Sequence, residues 1–290
     1  MGGHGEKPSR ATGRQRILKA VATAARPLAA AIRPADNEAL YRSRDVVSEW
    51  SDNRELQPPE AVILDQLGPW LAGKAMLDVG VGNGRTAWHF APLVASYVGV
   101  DYSPAMIADC ETRVGDSLPN AQFGVEDVRD LHKFASGAFD FILFSFNGLD
   151  LIGHGDRMRA LSELHRVCAP SGFVCFSSHN LSAVSRLFRL HPDQRTSLYS
   201  HGRGLVQQAI FRRLNPPQRV LARASHALIR ESYFDFRSQL YYVRPSEQLA
   251  QLADVSFSQI EVYGLDGRQI PSSAADSASD LWLYYLAARA

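Results

Sequence analysis

The stretch that most constrains this chain runs from Ala75 to Ile107, AMLDVGVGNGRTAWHFAPLVASYVGVDYSPAMI. It reads as a short apolar strand ending on Asp78, a turn in which Gly80, Gly82 and Gly84 alternate, a helical segment from Arg85 to Ala95 interrupted only by Pro92, and a second apolar strand ending on Asp101. Strand, glycine turn, helix and strand make the unit from which α/β folds are wound, and such a turn offers backbone N–H groups to a ligand. A dinucleotide fingerprint, G-x-G-x-x-G, would need glycine where Arg85 stands. The turn therefore suits a smaller group, such as an amino-acid moiety. Asp101 lies about 20 residues beyond the first glycine, where a carboxylate accepts both hydroxyls of a ribose.

The rest of the chain supplies the partners of such a sheet. Residues 37–50 read as a helix with Leu40, Tyr41, Val47 and Trp50 near one face, and Pro58-Pro59-Glu60 opens a second helix with an apolar stripe at Ile63, Leu67, Trp70 and Leu71. A helix over Pro104–Val114 leads to a strand near Ala121–Val125, closed by Glu126-Asp127-Val128-Arg129. Phe139–Phe146 is a nearly continuous apolar run, as in a parallel strand covered on both faces. After it come Asn147 and Asp150, a helix over Arg157–Val167, a strand over Val174–Ser177, and then His179-Asn180. Phe234–Val243 alternates like an extra strand, Pro245–Leu252 reads as a short helix, and Ile260–Tyr263 with Trp282–Leu286 read as a closing strand pair.

Charge is distributed unevenly along a chain whose net charge is only +1. Residues 1–33 carry seven basic residues against Glu6 alone, and residues 181–230 carry nine arginines against Asp193 alone, with no lysine. These segments either fold back on an acidic body or face an anionic partner. Residues 1–36, cut by Pro8, Pro27 and Pro34, are expected to be a disordered basic arm able to make weak contact with a membrane surface. No run of about 18 apolar residues is present and no apolar h-region follows the first charges, so a cytoplasmic protein is expected. Cys110, Cys168 and Cys175 have neither metal nor paired-redox spacing and read as buried thiols. The histidines match no metal motif, so no metal site is expected.

Leu77–Gly84 resembles the first motif of class I S-adenosylmethionine (SAM) dependent methyltransferases, and Val100–Ile107 resembles that family's second signature. The likeness continues at intervals from about residue 37 to the last strand. It implies an α/β fold: a doubly wound, seven-stranded, mostly parallel sheet whose last strand is antiparallel, spanning residues 37–290. A helical and β insert after strand five, residues 181–237, would form a substrate lid. The cofactor implied is SAM. The residues implied to bind it are Asp78, Gly80, Gly82, Gly84, Asp101, Tyr102, Met106, Asp127, Val128 and Ser145, with Asp127 matching the acid that holds the adenine amino group. Tyr41 and Trp50 lie on the segment that folds over the cofactor in this family.

In open α/β sheets ligands sit beyond the C-terminal strand ends. The candidate catalytic residues are therefore His179, which follows its strand directly, Asn147 and His154, with Asp150, Asn180, Tyr241 and Tyr242 nearby. An oxygen acceptor needs a base and an amine needs only to be neutral. The expected reaction is methyl transfer to O or N of a small or medium-sized acceptor. The insert arginines, Arg212-Arg213 foremost, favour an anionic one: a sugar phosphate, a carboxylate metabolite or a glycolipid. An RNA methyltransferase is the rival enzyme, weakened by the absence of a recognisable nucleic-acid module. A SAM-binding scaffold is the rival from another class, and retention of the two acids argues against it.

Overall fold

The computed structural model describes residues 35–41, 54–189 and 198–290. The basic arm before residue 35 and residues 42–50 of the first expected helix, with Val47 and Trp50, lie outside them. Strands β1 (Ala75–Val79), β2 (Ser96–Asp101), β3 (Ala121–Val125), β4 (Phe139–Phe144) and β5 (Cys168–Asn180) are parallel, in the spatial order β3-β2-β1-β4-β5. β1 is central because Met76, Leu77 and Val79 are all buried, as both faces of a covered parallel strand require.

Helices α1 (Asn37–Tyr41), α2 (Pro58–Leu71), α3 (Ala87–Phe90), α4 (Pro104–Val114) and α5 (His154–Val167) connect or precede these strands. Two apolar cores cover the two sheet faces, one around Leu77, Ile142, Leu161 and Phe176, the other around Met76, Phe90, Phe141 and Tyr284. The helix expected over Arg85–Ala95 is shorter than the sequence suggests. α3 holds four residues and passes into a 3-10 turn at Ala91–Leu93. Pro92 has no N–H to continue the ladder.

Beyond β5 the chain forms the insert. A 3-10 segment (Leu181–Phe188), α6 (Leu198–Leu214), α7 (Gln218–Leu221), β6 (His226–Arg230) and β7 (Gln239–Val243) follow in order. They enclose a separate small core of Leu181, Ile210, Phe211, Ile229 and Phe236. α8 (Pro245–Asp254), β8 (Phe257–Tyr263), β9 (Gln269–Ile270) and β10 (Trp282–Arg289) complete the chain. β10 runs antiparallel to both β5 and β8, which gives the expected antiparallel last strand and closing pair.

The sheet holds ten strands rather than seven, because β9 and the insert hairpin β6–β7 join it. The reason is the length of β5. Its pairing with β4 ends at Phe144–Phe176, while the strand continues to Asn180. β7 takes up the exposed edge, with His179 paired to Tyr242 and Asn180 to Val243 in parallel register. The alternating run expected as one strand from Phe234 contains a 3-10 turn at Tyr233–Phe236 before β7 begins. α1 is pinned over the same edge. The Asn37 side chain donates to the carbonyls of Leu151 (2.7 Å) and Gln239 (2.6 Å) and accepts from Gln239 N (2.9 Å).

Candidate active site

The C-terminal ends of β1, β2, β4 and β5 open into a cavity of about 830 Å3, roofed by α1 and by residues of the insert hairpin. Asp78, Gly80, Gly82, Asp101, Tyr102, Met106, Asp127, Val128, Ser145, Asn147 and His179 all line it, so eleven of the thirteen sequence-selected site residues are brought together. Gly84 and His154 are not among the lining residues.

Gly80 (φ +63°) and Gly82 (φ +55°) hold the turn after β1 in the left-handed region, where L side chains are strained. A Cβ built on Gly82 would meet nothing closer than Gly80 O at 4.0 Å, so the space beside it is open. Gly84 answers a different demand. A Cβ there would meet Val114 Cγ2 at 2.6 Å and Cys110 Sγ at 2.9 Å, so this glycine lets α4 pack against the turn.

The two acids of the motif differ in role. Asp101 is nearly buried at the end of β2, and its carboxylate accepts from Gly82 N (3.1 Å) and Ser103 N (2.8 Å) while lining the cavity. It thereby fixes the glycine turn and faces the position expected for a ribose. Asp78 is fully enclosed. Its Oδ2 accepts from Thr86 Oγ1 and Tyr97 OH, each at 2.5 Å. Burial pushes its pKa up to about 6, against the pull of these two hydrogen bonds.

Asp127 lines the cavity, but its carboxylate is already held by Arg129. Arg129 Nε donates to Oδ1 (2.9 Å) and Nη2 to Oδ2 (2.5 Å), while Nη1 reaches Asp156 (3.2 Å). Burial raises the Asp127 pKa, yet the arginine bonds outweigh it and leave the group below its ordinary value. Ser145 belongs to a network that sequence reasoning missed. Arg85 forks onto buried Glu60 at 2.6 and 2.7 Å, and Ser145 Oγ and Tyr284 OH also donate to Glu60. Burial raises the Glu60 pKa, and the Arg85 pairing brings it below the usual carboxylate range. The only sequence signal for this pair was an arginine standing where a dinucleotide site would have glycine.

The catalytic candidates separate clearly. Asp150, completely buried, accepts through Oδ2 from both His179 N (2.6 Å) and His179 Nδ1 (2.7 Å). Its Oδ1 accepts from Arg157 Nη1 (2.6 Å) and Ser178 Oγ (2.7 Å). A carboxylate can only accept, so Nδ1 carries a proton, and in the neutral imidazole Nε2 carries the lone pair. Nε2 is 3.9 Å from Glu231 Oε1, and Glu231 also lines the cavity. Burial lowers the His179 pKa, but the bond to Asp150 and its charge raise it above the ordinary imidazole value. Asn147 stands at φ +61°, after Phe146 at φ +55°, two consecutive left-handed residues where β4 meets the cavity. Its N donates to Ser177 Oγ (2.7 Å), and its buried Oδ1 has no partner among the described residues.

His154 opens α5 on the far side of this wall. Its Nδ1 lies 2.8 Å from Tyr241 OH, and its ring stacks on His226 with centroids 4.4 Å apart. Tyr241 is thus drawn away from the cavity, and Tyr242 donates to Glu231. Arg212 and Arg213 lie exposed on α6 and do not line the cavity, and Arg212 Nη2 points at Phe188 O (3.4 Å). The lining arginines, Arg85 and Arg129, both pair with carboxylates. The described residues hold no cluster of three or more potential metal ligands.

Comparison with known proteins bears on this site directly. Residues 76–172 match the model of a methyltransferase domain. A ubiquinone biosynthesis O-methyltransferase of Thiobacillus denitrificans is 28% identical over 152 residues, covering 52% of this chain and 63% of that protein. A ubiquinone/menaquinone biosynthesis C-methyltransferase of a Geobacter species is 30% identical over 123 residues, covering 40% of this chain and 51% of that protein. The chain thus spans between half and two thirds of the length of these relatives. Among solved structures, a SAM-dependent methyltransferase of Mesorhizobium loti superposes with a TM-score of 0.53 at 18% identity, covering 80% of this chain and 98% of that one. The 1,6-didemethyltoxoflavin-N1-methyltransferase of Burkholderia thailandensis, bound to its acceptor and S-adenosylhomocysteine, gives 0.54 at 14% identity, covering 98% and 93%. The matched segment contains the whole glycine turn, Asp78, Asp101, Asp127, Ser145 and Asn147, so residues 76–172 form a methyltransferase domain, on a fold shared with solved SAM-dependent methyltransferases.

Proposed function

We propose that this protein methylates a hydroxyl oxygen of a small organic acceptor, with His179 as the general base. The observation that carries the reading is the double contact of Asp150 Oδ2 with His179 N and Nδ1, which leaves Nε2 on the cavity side beside Glu231. A hydroxyl is a poor nucleophile until its proton has somewhere to go, and a histidine held in one tautomer by a buried carboxylate is suited to take it. An amine acceptor would need no such device.

The residues that would hold SAM are Asp101 toward the ribose, Val128 and Asp127 near the base, and the Gly80–Gly82 turn beside the amino-acid portion. The open space at Gly82 and the position of the Asp101 carboxylate on the cavity wall fit that ligand. Bound there, it supplies an activated methyl group on a sulfonium. The chain's own work is the rest: α1 and the insert hairpin exclude water, His179 Nε2 accepts the hydroxyl proton, and the Asp150 carboxylate stabilises the imidazolium that results.

The anionic acceptor expected from the insert arginines is replaced here by a neutral or cationic one. Asp36, Glu38 and Glu231 line the cavity, and both lining arginines are paired. The names of several relatives, ubiquinone biosynthesis O-methyltransferases, support oxygen as the methylated atom and a small-molecule acceptor. A panel of hydroxylated aromatic and aliphatic acceptors with isotopically labelled SAM tests the proposal. Label on oxygen that is lost with His179→Gln supports it. Label only on nitrogen or carbon would remove it.

A further inference from the structure

α6 has two unlike sides. Ile210 and Phe211 face the core of the insert, and the opposite side exposes Leu205, Val206, Ala209, Arg212 and Arg213. At 3.6 residues per turn these five fall within about 120° of the helix circumference. Pro216 and Pro217 end the helix, and the exposure continues through Arg219, Val220 and Arg223. Seven large aliphatic side chains are exposed among the described residues, and four of them, Leu205, Val206, Val220 and Leu228, fall on this one segment. Between residues 198 and 230 the sequence contains no acid. A surface kept soluble by charge would interleave acids with its arginines and would not place aliphatic side chains among them.

The same surface leads inward. A second cavity of about 460 Å3 lies between α7 and the hairpin, lined by Val220, Ala224, Leu228 and the stacked rings of His154, His226 and Tyr241. Leu228 also lines the reaction cavity, so apolar surface continues from the exposed face of the insert to the site itself.

We propose that the exposed face of α6 and α7 docks on the anionic surface of a lipid bilayer. Arg212, Arg213, Arg219 and Arg223 meet the headgroups, and Leu205, Val206 and Val220 enter the boundary between headgroups and acyl chains. The arginines supply attraction to anionic headgroups and the aliphatic side chains supply apolar contact, the two contributions that binding at a bilayer surface combines. The features oppose a nucleic acid. Sequence-tolerant strand binding relies on aromatic platforms, and the exposed residues of this face from Leu205 to Arg223 include none. They also oppose coverage by the chain's own N-terminal segment, which is itself strongly basic.

The test uses the full chain in cosedimentation with vesicles of phosphatidylcholine alone and of phosphatidylcholine mixed with phosphatidylglycerol. Binding is expected to the mixed vesicles only and to weaken with added salt. Arg212→Gln with Arg213→Gln lowers the partition coefficient roughly 30-fold. Leu205→Ser with Val220→Ser weakens it without changing charge, and both pairs leave melting temperature and SAM affinity unchanged. Absence of vesicle binding overturns the proposal, as does wild-type binding by either pair. So does binding to single-stranded RNA that the arginine pair reduces while vesicle binding persists.

Discussion

The Nδ1 of His179 and the Oδ2 of Asp150 lie 2.7 Å apart, inside a wall where the carboxylate is completely buried. The pair fixes which nitrogen of the imidazole faces the cavity, and this sets two measurable properties if His179 is the proposed base. His179→Gln should lower kcat by about 10²–10⁴-fold, the usual worth of a positioned base, while SAM affinity stays the same. The pH profile carries the second. The imidazole pKa is raised because Asp150 favours the charged form, and the base works only when neutral. Log kcat/KM should therefore fall as pH decreases through a value above that of free histidine, about 6.5. A flat profile from pH 6 to 9, measured with a neutral acceptor, would exclude His179 as the base.

SAM binding should depend on Asp101 more than on any other acid. The carboxylate closes the glycine turn through Gly82 N and presents its remaining acceptor capacity to the cavity. Asp101→Ala removes a charge-assisted contact to the ribose hydroxyls and should cost roughly 2–4 kcal/mol of SAM affinity. Calorimetric titration of the folded variant checks this. Wild-type affinity would show that the ribose is held elsewhere.

The glycine turn, Asp101 and the end of β5 were legible in the sequence because each is demanded locally. A left-handed turn needs Gly80 and Gly82, and a strand end next to a turn places Asp101 and His179 at the sheet's rim. What was not legible depends on contacts far apart in sequence. Glu60 meets Arg85 across 25 positions and Glu231 meets His179 across the insert, with no local pattern marking either pair. Asp150 was visible only as one polar residue after strand four, since its partners come from α5 and β5. The face from which the insert arginines Arg212 and Arg213 point was not legible for a similar reason. A run of charge gives its sign but not the face it points from, and that face is set by the burial of Ile210 and Phe211. Gly84 was grouped with its neighbours by spacing, although its requirement comes from Val114 and Cys110 on another helix.

Gly82 and Gly84 should therefore fail in opposite ways. Gly84→Ala forces a Cβ into Val114 and Cys110 at a position with φ +85°. It should destabilise the fold by about 1–3 kcal/mol and leave the SAM affinity of the remaining folded protein nearly intact. Gly82→Ala meets open space on the protein side, so although φ +55° makes it cost some stability too, SAM binding should be lost in the folded protein. Chemical denaturation and SAM titration on both variants separate the two roles. An equal loss of affinity in both would place Gly84 at the cofactor.

Arg157 should matter to catalysis without touching the acceptor. It is fully buried, and its guanidinium donates to Asp150 Oδ1 (2.6 Å), Ser178 Oγ (2.9 Å) and Gln248 Oε1 (2.5 Å) while stacking on Tyr241 at 4.7 Å. Two charges buried together are tolerated because each satisfies the other, and removing one strands its partner in a dry environment. Arg157→Met keeps most of the volume but leaves Asp150 without its counter-charge, and should cost about 3–5 kcal/mol of stability. The folded fraction should also show a lower kcat with unchanged SAM affinity. Without the Arg157 fork, Asp150 Oδ1 loses its strongest partner and the carboxylate is free to turn away from His179. Pairing Arg157→Met with Asp150→Leu should recover part of the stability and none of the turnover. Additive losses in that double mutant would mean that the two side chains do not act as a pair, and that Asp150 orients His179 without help from Arg157.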